Sequence, residues 1–335
     1  MAEPPMPYLR VSNLTKHFSA GRGGFFSGKR GVVRAVEDVS FSVARGETLA
    51  IVGESGCGKT TLGRLILRLI EADHGRIEIA GTDIRTLDDT AMRKLRRRLQ
   101  IVIQDPFGSL NPRMLIGQAI MEPLDIHAVG TNAERRARLA ELLDLVGLPQ
   151  DFANRFPHQL SGGQRQRVGI ARALALETDL LVCDEAVSAL DVSVQAQIIN
   201  LLQKLKRERG LTYLFISHDI AIVRHIADRI GVMYLGELVE IAPRARLFST
   251  PAHPYTQALL KSAPRARVHE RPEIVLKGDI PSPIDPPTGC RFHTRCPHVM
   301  EICRSTPPAR TQLAPGHAAR CHLLDPALAA KGQTA

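Results

Sequence analysis

Tryptophan is absent from this 335-residue chain, and four Tyr with ten Phe keep aromatics at 4%. A surface that holds single-stranded nucleic acid stacks bases on aromatic rings interleaved with basic groups. That shortage argues against such a surface despite a net charge of +10. The densest basic run, Arg93-Lys94-Leu95-Arg96-Arg97-Arg98, reads instead as a solvated helix face. No apolar run approaches the ~18–20 residues that span a bilayer. The opening MAEPPMPYLR has neither a basic n-region nor an apolar h-region, so no export signal is expected and the expected compartment is the cytoplasm. Internal repeats are also lacking. The length suggests about two domains, enough for a large α/β core plus an appendage.

What is present centres on Gly53–Thr61, GESGCGKTT. Gly53, four residues, then Gly58-Lys59-Thr60 is the phosphate-loop pattern. The apolar Thr48–Val52 precedes it, and the helix-like Leu62–Leu69 follows. In a strand–turn–helix context the loop's N–H groups and the positive helix end wrap a polyphosphate. Lys59 adds a charge at the β- and γ-phosphates, and the Thr60 hydroxyl can ligate Mg²⁺. Gly56 and Gly58 permit positive φ and close approach.

Alternating segments at 8–18 and 32–43 read as strands, separated by a Gly- and Arg-rich loop or hairpin tip at Ser19–Arg30. A short strand at 77–81, a helical stretch at 93–98 and a buried strand at 99–103 follow. Between Asp105 and Leu160 strand runs vanish. Helical patterns at 114–124 and 132–146 stand among Pro106, Pro112, Pro123 and Pro149, which reads as a mostly helical insertion. Alternation then resumes: helix 162–176, strand 180–183, helix 193–209, strand 212–216, helix 219–228, and a strand pair at 230–234 and 237–241. Near Pro251 the composition shifts to Pro, Arg and Cys, marking a separate C-terminal region.

Two further segments carry chemistry. Ser161-Gly162-Gly163-Gln164 opens a helix and is a second anion-binding device, or, taken alone, simply an N-cap. Leu180–Cys183 is an apolar strand ending in Asp184-Glu185, and carboxyl ends of strands are where α/β sheets bind ligands. Asp184 suits a Mg²⁺ network, and Glu185 can orient and polarise an attacking water.

With these motifs in this order, residues 8–245 resemble the nucleotide-binding subunit of ATP-binding-cassette transporters. The resemblance implies a RecA-like phosphate-loop α/β core with an antiparallel β subdomain. The first part of that core falls in 1–104, a helical subdomain in 105–160, the rest of the core in 161–250, and a Pro/Cys-rich extension in 251–335. It further implies an ATP site of Phe18 (stacked on adenine), Gly53, Glu54, Ser55, Gly56, Cys57, Gly58, Lys59, Thr60, Thr61, Gln104, Asp184 and His218. The resemblance also implies that Lys59, Gln104, Glu185 and His218 act in catalysis, and that Thr60 and Gln104 hold Mg²⁺. Ser161–Gln164 matches the signature that closes over a partner's ATP, and Ser188-Ala189-Leu190-Asp191 the D-loop. Two departures stand out. Ala186 replaces the usual Pro after the catalytic Glu, which should loosen the turn into the D-loop, and Phe18 replaces the commoner Tyr.

Cys57 and Cys183 lie in the phosphate loop and a buried strand, as small apolar residues do. Cys290, Cys296, Cys303 and Cys321 cluster in the tail. In a reducing compartment four such thiols suit a metal centre rather than disulfides: an iron–sulfur cluster, or zinc joined by His293, His298, His317 or His322. The segments 253–261 and 281–296 resemble the extension of dipeptide/oligopeptide (and nickel) importer ATPases of the F type. This resemblance implies a [4Fe–4S] cluster on those four cysteines, with Zn²⁺ as the alternative. It also implies a D-type sister ATPase as heterodimer partner, two transmembrane permeases, an extracytoplasmic peptide-binding protein, and a place on the cytoplasmic face of the membrane. The expected function is ATP hydrolysis driving peptide import, with no nucleic acid. The alternatives are a nickel or glutathione importer of the same type, or a soluble cassette ATPase acting on nucleic acid or ribosomes.

Overall fold

The computed structural model describes residues 6–20, 31–105, 108, 110–262 and 278–325. The greater part of the expected tip at 19–30, and Pro106, lie outside the described residues. The chain divides into two compact units: residues 1–43, 49–85 and 218–335, and residues 44–48 and 86–217.

The first unit starts with β1 (Leu9–Ala20) and β2 (Gly31–Val43), a long antiparallel pair in which Ala20 faces Gly31. Alternation places Leu9, Val11 and Leu14 of β1, and Val36, Val39, Phe41 and Val43 of β2, in the core, as a sheet with one buried face requires. β3 (Thr48–Val52) is wholly buried and leads through the phosphate loop into α1 (Lys59–Ile66). β4 (His74–Ile79) pairs antiparallel with β1, and β5 (Thr82–Asp83) with β4.

The second unit holds α2 (Asp89–Leu95), β6 (Leu99–Val102), α3 (Ile116–Ile126), α4 (Asn132–Leu145), α5 (Gly162–Ala173), β7 (Leu180–Asp184), α6 (Val192–Arg209) and β8 (Thr212–Ser217). β6, β7 and β8 form a parallel array in the order β6-β7-β8. β7 and β8 are buried along their whole length, which explains why they read as unbroken apolar runs. Among the described residues, 110–160 hold α3, α4 and two 3₁₀ turns but no strand. Pro123 does not punctuate this segment; it lies inside α3, where it lacks the N–H that would bond the Ala119 carbonyl, while its own carbonyl still accepts the His127 N–H at 3.1 Å.

The chain then returns to the first unit with α7 (Ile220–Ile226), β9 (Arg229–Tyr234), β10 (Glu237–Pro243), α8 (Arg244–Ser249) and α9 (Pro254–Ser262). β9 runs parallel to β3, and β10 antiparallel to β9. The tail is more ordered than its composition suggests. After α10 (Ile302–Ser305), the hairpin β11 (Arg310–Ala314) and β12 (His317–Arg320) pairs β12 onto β10.

A buried network fixes this junction. The Glu240 carboxylate, 1% exposed, accepts the N–H groups of Ala252 and His253 at 2.9 Å and meets His317 Nε2 at 2.9 Å. His253 is also buried, and its Nδ1 accepts the Tyr255 N–H at 3.0 Å. Burial pushes the His253 imidazole down to about 3. The unfolded chain therefore takes up a proton that the folded one refuses. Stability from this group is complete above pH ~6.5 and falls by up to about 1.4 kcal/mol per pH unit as pH drops toward 3. Thermal melts between pH 7 and pH 4.5 should show that slope, and His253→Asn, which keeps an acceptor for Tyr255 without titrating, should flatten it.

Candidate functional site

In the first unit the sequence builds a cradle at the end of β3. Lys59 is 4% exposed, and its ammonium donates to the carbonyl oxygens of Gly53 at 2.8 Å and Glu54 at 2.9 Å. The loop is thus closed on its own lysine. Gly58 caps α1 with φ +103°, and neither its own cap nor the first turn supplies an acidic side chain. The positive end of the helix is left for an external anion. Cys57 is buried, which pushes its thiol up from the usual range, so it packs as an apolar residue. Its carbonyl accepts the Gly236 N–H at 2.9 Å, fixing the loop to the turn between β9 and β10. Thr60 and Thr61 are half-buried, while Ser55 and Gly56 are exposed. Phe18 is exposed on β1, with Lys16 Nζ 5.4 Å from its ring centroid. His218 is exposed directly after β8. Its neighbour Asp219 caps α7 by accepting from the N–H groups of Ala221 (2.7 Å) and Ile222 (3.3 Å).

In the second unit Asp184 is the buried last residue of β7. Glu185 follows with φ +49°, a left-handed conformation costly for a side chain of this size and found at functional sites. Its N–H donates to the Ile216 carbonyl at 3.0 Å. Both the N–H (3.1 Å) and the hydroxyl (3.0 Å) of Ser188 return to the Glu185 carbonyl. Ala186 is buried in this turn, so hydrogen bonds supply the closure that a proline ring would have stiffened. Asp191 is exposed at the start of α6, and Gln104 is exposed beyond β6.

Ser161 caps α5 with a reciprocal box. Its hydroxyl accepts the Gln164 N–H at 3.3 Å, and Gln164 Oε1 accepts the Ser161 N–H at 2.8 Å. The N-cap reading of this segment is therefore realised, and it leaves the Gly162 and Gly163 N–H groups in the first turn without intrahelical acceptors. The glycines have a packing reason as well. A Cβ on Gly163 would collide with Val194 of α6, and one on Gly162 would lie 3.3 Å from Leu190 Cδ2.

The tail cysteines are all free thiols. Burial, reinforced by the neighbouring thiols, pushes Cys290 up to about 12 and Cys321 up to about 11, with Cys296 also raised. Cys290, Cys296, Cys303 and Cys321 thus lie within electrostatic reach of one another. Among the described residues, no group of three or more His, Cys, Asp or Glu is gathered to hold a metal ion. Of the nearby histidines, His293 meets the Cys290 carbonyl through Nδ1 at 2.9 Å, His317 meets Glu240 through Nε2 at 2.9 Å, and His322 meets the Thr306 carbonyl through Nε2 at 2.8 Å.

Sequence reasoning missed Arg291 and Arg295. Both are buried and lie between Cys290 and Cys296 in a stretch that reads as a basic loop. Arg291 pairs with Glu237 at 2.8 Å and Glu37 at 3.2 Å and donates to the Leu235 carbonyl. Burial still leaves the Glu237 carboxyl above its ordinary range, although Arg291 pulls it down.

The family description ABC transporter matches residues 36–188, and the description oligopeptide/dipeptide transporter, C-terminal region, matches residues 239–303. The chain is 51% identical over 327 residues to the probable peptide ABC transporter ATP-binding protein y4tS of Sinorhizobium fredii, covering 96% of this chain and 91% of that one. It is 52% identical over 319 residues to the oligopeptide transport ATP-binding protein AppF of Bacillus subtilis, covering 94% and 97%. Among solved structures, the dimeric post-hydrolysis ATP-binding cassette MJ0796 bound to ADP and Pi superposes with a TM-score of 0.62 at 33% identity, over 70% of this chain and 98% of that one. CbiO1 of Clostridium perfringens, part of the complex cbiONQ, gives 0.62 at 27%, over 73% and 91%. The core is therefore that of a phosphate-loop ATPase cassette. The chain belongs to the ATP-binding subunits of ABC transporters, in the branch that carries the oligopeptide/dipeptide C-terminal region.

Proposed function

We propose that this subunit hydrolyses ATP to energise import of di- or oligopeptides through a membrane-embedded permease pair, to which it binds from the cytoplasmic side. The observation that carries the reading is the phosphate loop closed on Lys59 in the same chain as the oligopeptide/dipeptide C-terminal region. In this reading Gly53–Thr61 wraps the triphosphate, with Lys59 at the β- and γ-phosphates, and Phe18 stacks on adenine. Thr60, Gln104 and Asp184 offer the all-oxygen donor set that Mg²⁺ requires, and Mg²⁺ would neutralise charge developing on the phosphates. Glu185 orients the attacking water, His218 contacts the γ-phosphate, and Ser188 and Asp191 form the D-loop. Ser161–Gln164 serves the nucleotide of a partner ATPase, a D-type sister, so that each site is completed by the other subunit. An extracytoplasmic binding protein selects the solute. Among the described residues no helix is long and apolar enough to cross a membrane, so passage needs other chains.

Reconstitution in vesicles with that permease pair, the sister ATPase and the binding protein tests the reading. ATP-dependent uptake of a labelled dipeptide or oligopeptide supports it. Nickel or glutathione uptake without peptide uptake overturns the substrate class.

For the tail, we propose a [4Fe–4S] cluster on Cys290, Cys296, Cys303 and Cys321. What supports it is a soft, all-cysteine donor set in one small segment, whose thiols lie within electrostatic reach of one another. An anaerobic preparation should be brown and contain iron and acid-labile sulfide. A colourless sample with stoichiometric zinc, or with no metal, removes the cluster.

A further inference from the structure

The cysteine-rich extension reaches the phosphate loop directly. Arg295, whose side chain is 5% exposed, lays its guanidinium two-pronged on the carboxylate of Glu54, the second residue of the loop. The two contacts are Nη1 to Oε2 at 2.7 Å and Nη2 to Oε1 at 3.0 Å. This fork-to-carboxylate geometry fixes orientation as well as charge. Nη1 also lies 3.4 Å from the Tyr234 hydroxyl. A second grip comes from α9, where the Tyr255 hydroxyl accepts the Glu54 N–H at 3.0 Å. Tyr234, Tyr255 and Phe292 pack ring against ring at centroid separations of 4.7–5.4 Å, so both grips rest on one rigid cluster. On the opposite side of the same residue, the Glu54 carbonyl accepts from Lys59. Glu54 is therefore the point where the lysine of the loop and the extension meet.

We propose that Arg295 is a positioning residue for ATP binding: from the extension it holds Glu54, and with it the phosphate loop, while neutralising the one carboxylate that the loop carries. A loop that receives a polyphosphate gains nothing from an acidic side chain, and an uncompensated Glu54 repels the ligand. The short reach from Cys296 to Arg295 makes the folding of the cysteine segment a condition for a competent loop. Arg291, held by Glu237 and Glu37, anchors the other end of that segment. The inference rests on Gly53–Thr61 being the triphosphate site.

The test uses the full chain and displacement of a fluorescent ATP analogue by Mg·ATP, with thermal melting alongside. Arg295→Ala should raise the Kd for Mg·ATP about tenfold, and Arg295→Gln, which retains most of the side-chain shape, should do the same. Adding Glu54→Gln to either variant should restore the Kd to within about threefold of wild type, because the repelling charge is gone. Glu54→Gln alone supplies the reference Kd against which the two double variants are read. A purely structural role moves the Kd only in step with the melting temperature and shows no such asymmetry. Two results overturn the proposal: a Kd within about twofold of wild type in both Arg295 variants, or no restoration by Glu54→Gln. Lys59→Ala run in parallel separates the two levels. If Lys59→Ala binds ATP like wild type, the triphosphate site itself is misplaced. If only the Arg295 variants are silent, the strap alone fails.

Discussion

Glu185→Gln leaves Mg·ATP binding within about twofold of wild type and lowers turnover at least about a hundredfold, the scale of a lost general base. The carboxylate sits at the carboxyl end of a buried strand, in a left-handed conformation that hydrogen bonds from Ser188 and to Ile216 hold in place. The amide has the same shape and tolerates the same backbone, so the loop keeps its form while the group loses its ability to take a proton. Binding by displacement and phosphate release in the assembled transporter measure the two halves of this expectation. Undiminished phosphate release would remove Glu185 from the reaction. Weakened binding would point to a role in ligand affinity instead.

Gly58→Ala attacks the same reaction from the binding side. A Cβ there would strike the Ala35 carbonyl oxygen of β2 and come within 2.9 Å of Met233 Cε, at a φ of +103° that side chains rarely adopt. Met233 can swing aside, whereas relief at Ala35 has to move the β2 backbone between Arg34 and Val36, both of which are paired to β1. The strain of such a conformation alone is on the order of 1–3 kcal/mol, and relief requires moving the first turn of α1, whose N–H groups would hold the triphosphate in the proposed function. We expect the Kd for Mg·ATP to rise at least about a hundredfold in a chain whose far-ultraviolet circular dichroism is unchanged. Binding within a few-fold of wild type would show that the loop can relax without shifting the helix end.

The parts of the molecule legible in the sequence were those where one local pattern carries one physical meaning. The strand, turn and helix around Gly53–Thr61, the buried runs of β7 and β8, and the cap at Ser161 each follow from residues close together in the chain. Members of the wider ABC family match this chain over its core, as the ordered motifs imply. The tail was the opposite case. Its Pro, Arg and Cys content reads as an irregular appendage, because the reasons for its order lie far away in sequence: Glu54 for Arg295, Glu237 for Arg291, and β10 for β12. A buried arginine and a solvated one look alike until the carboxylate opposite is known. The four cysteines show the same limit, since spacing along the chain does not reveal whether the thiols close around an ion.

The pairing of β12 with β10 sets an order of events. Glu240 is buried against a histidine that lies 77 residues further along the chain. Until His317 and its strand arrive, β10 presents an open edge and a carboxylate that would otherwise seek water. That contact is one of high sequence separation, the kind that carries the largest loop-closure cost. The hairpin therefore closes an edge of the sheet that would otherwise be open to pairing with another chain.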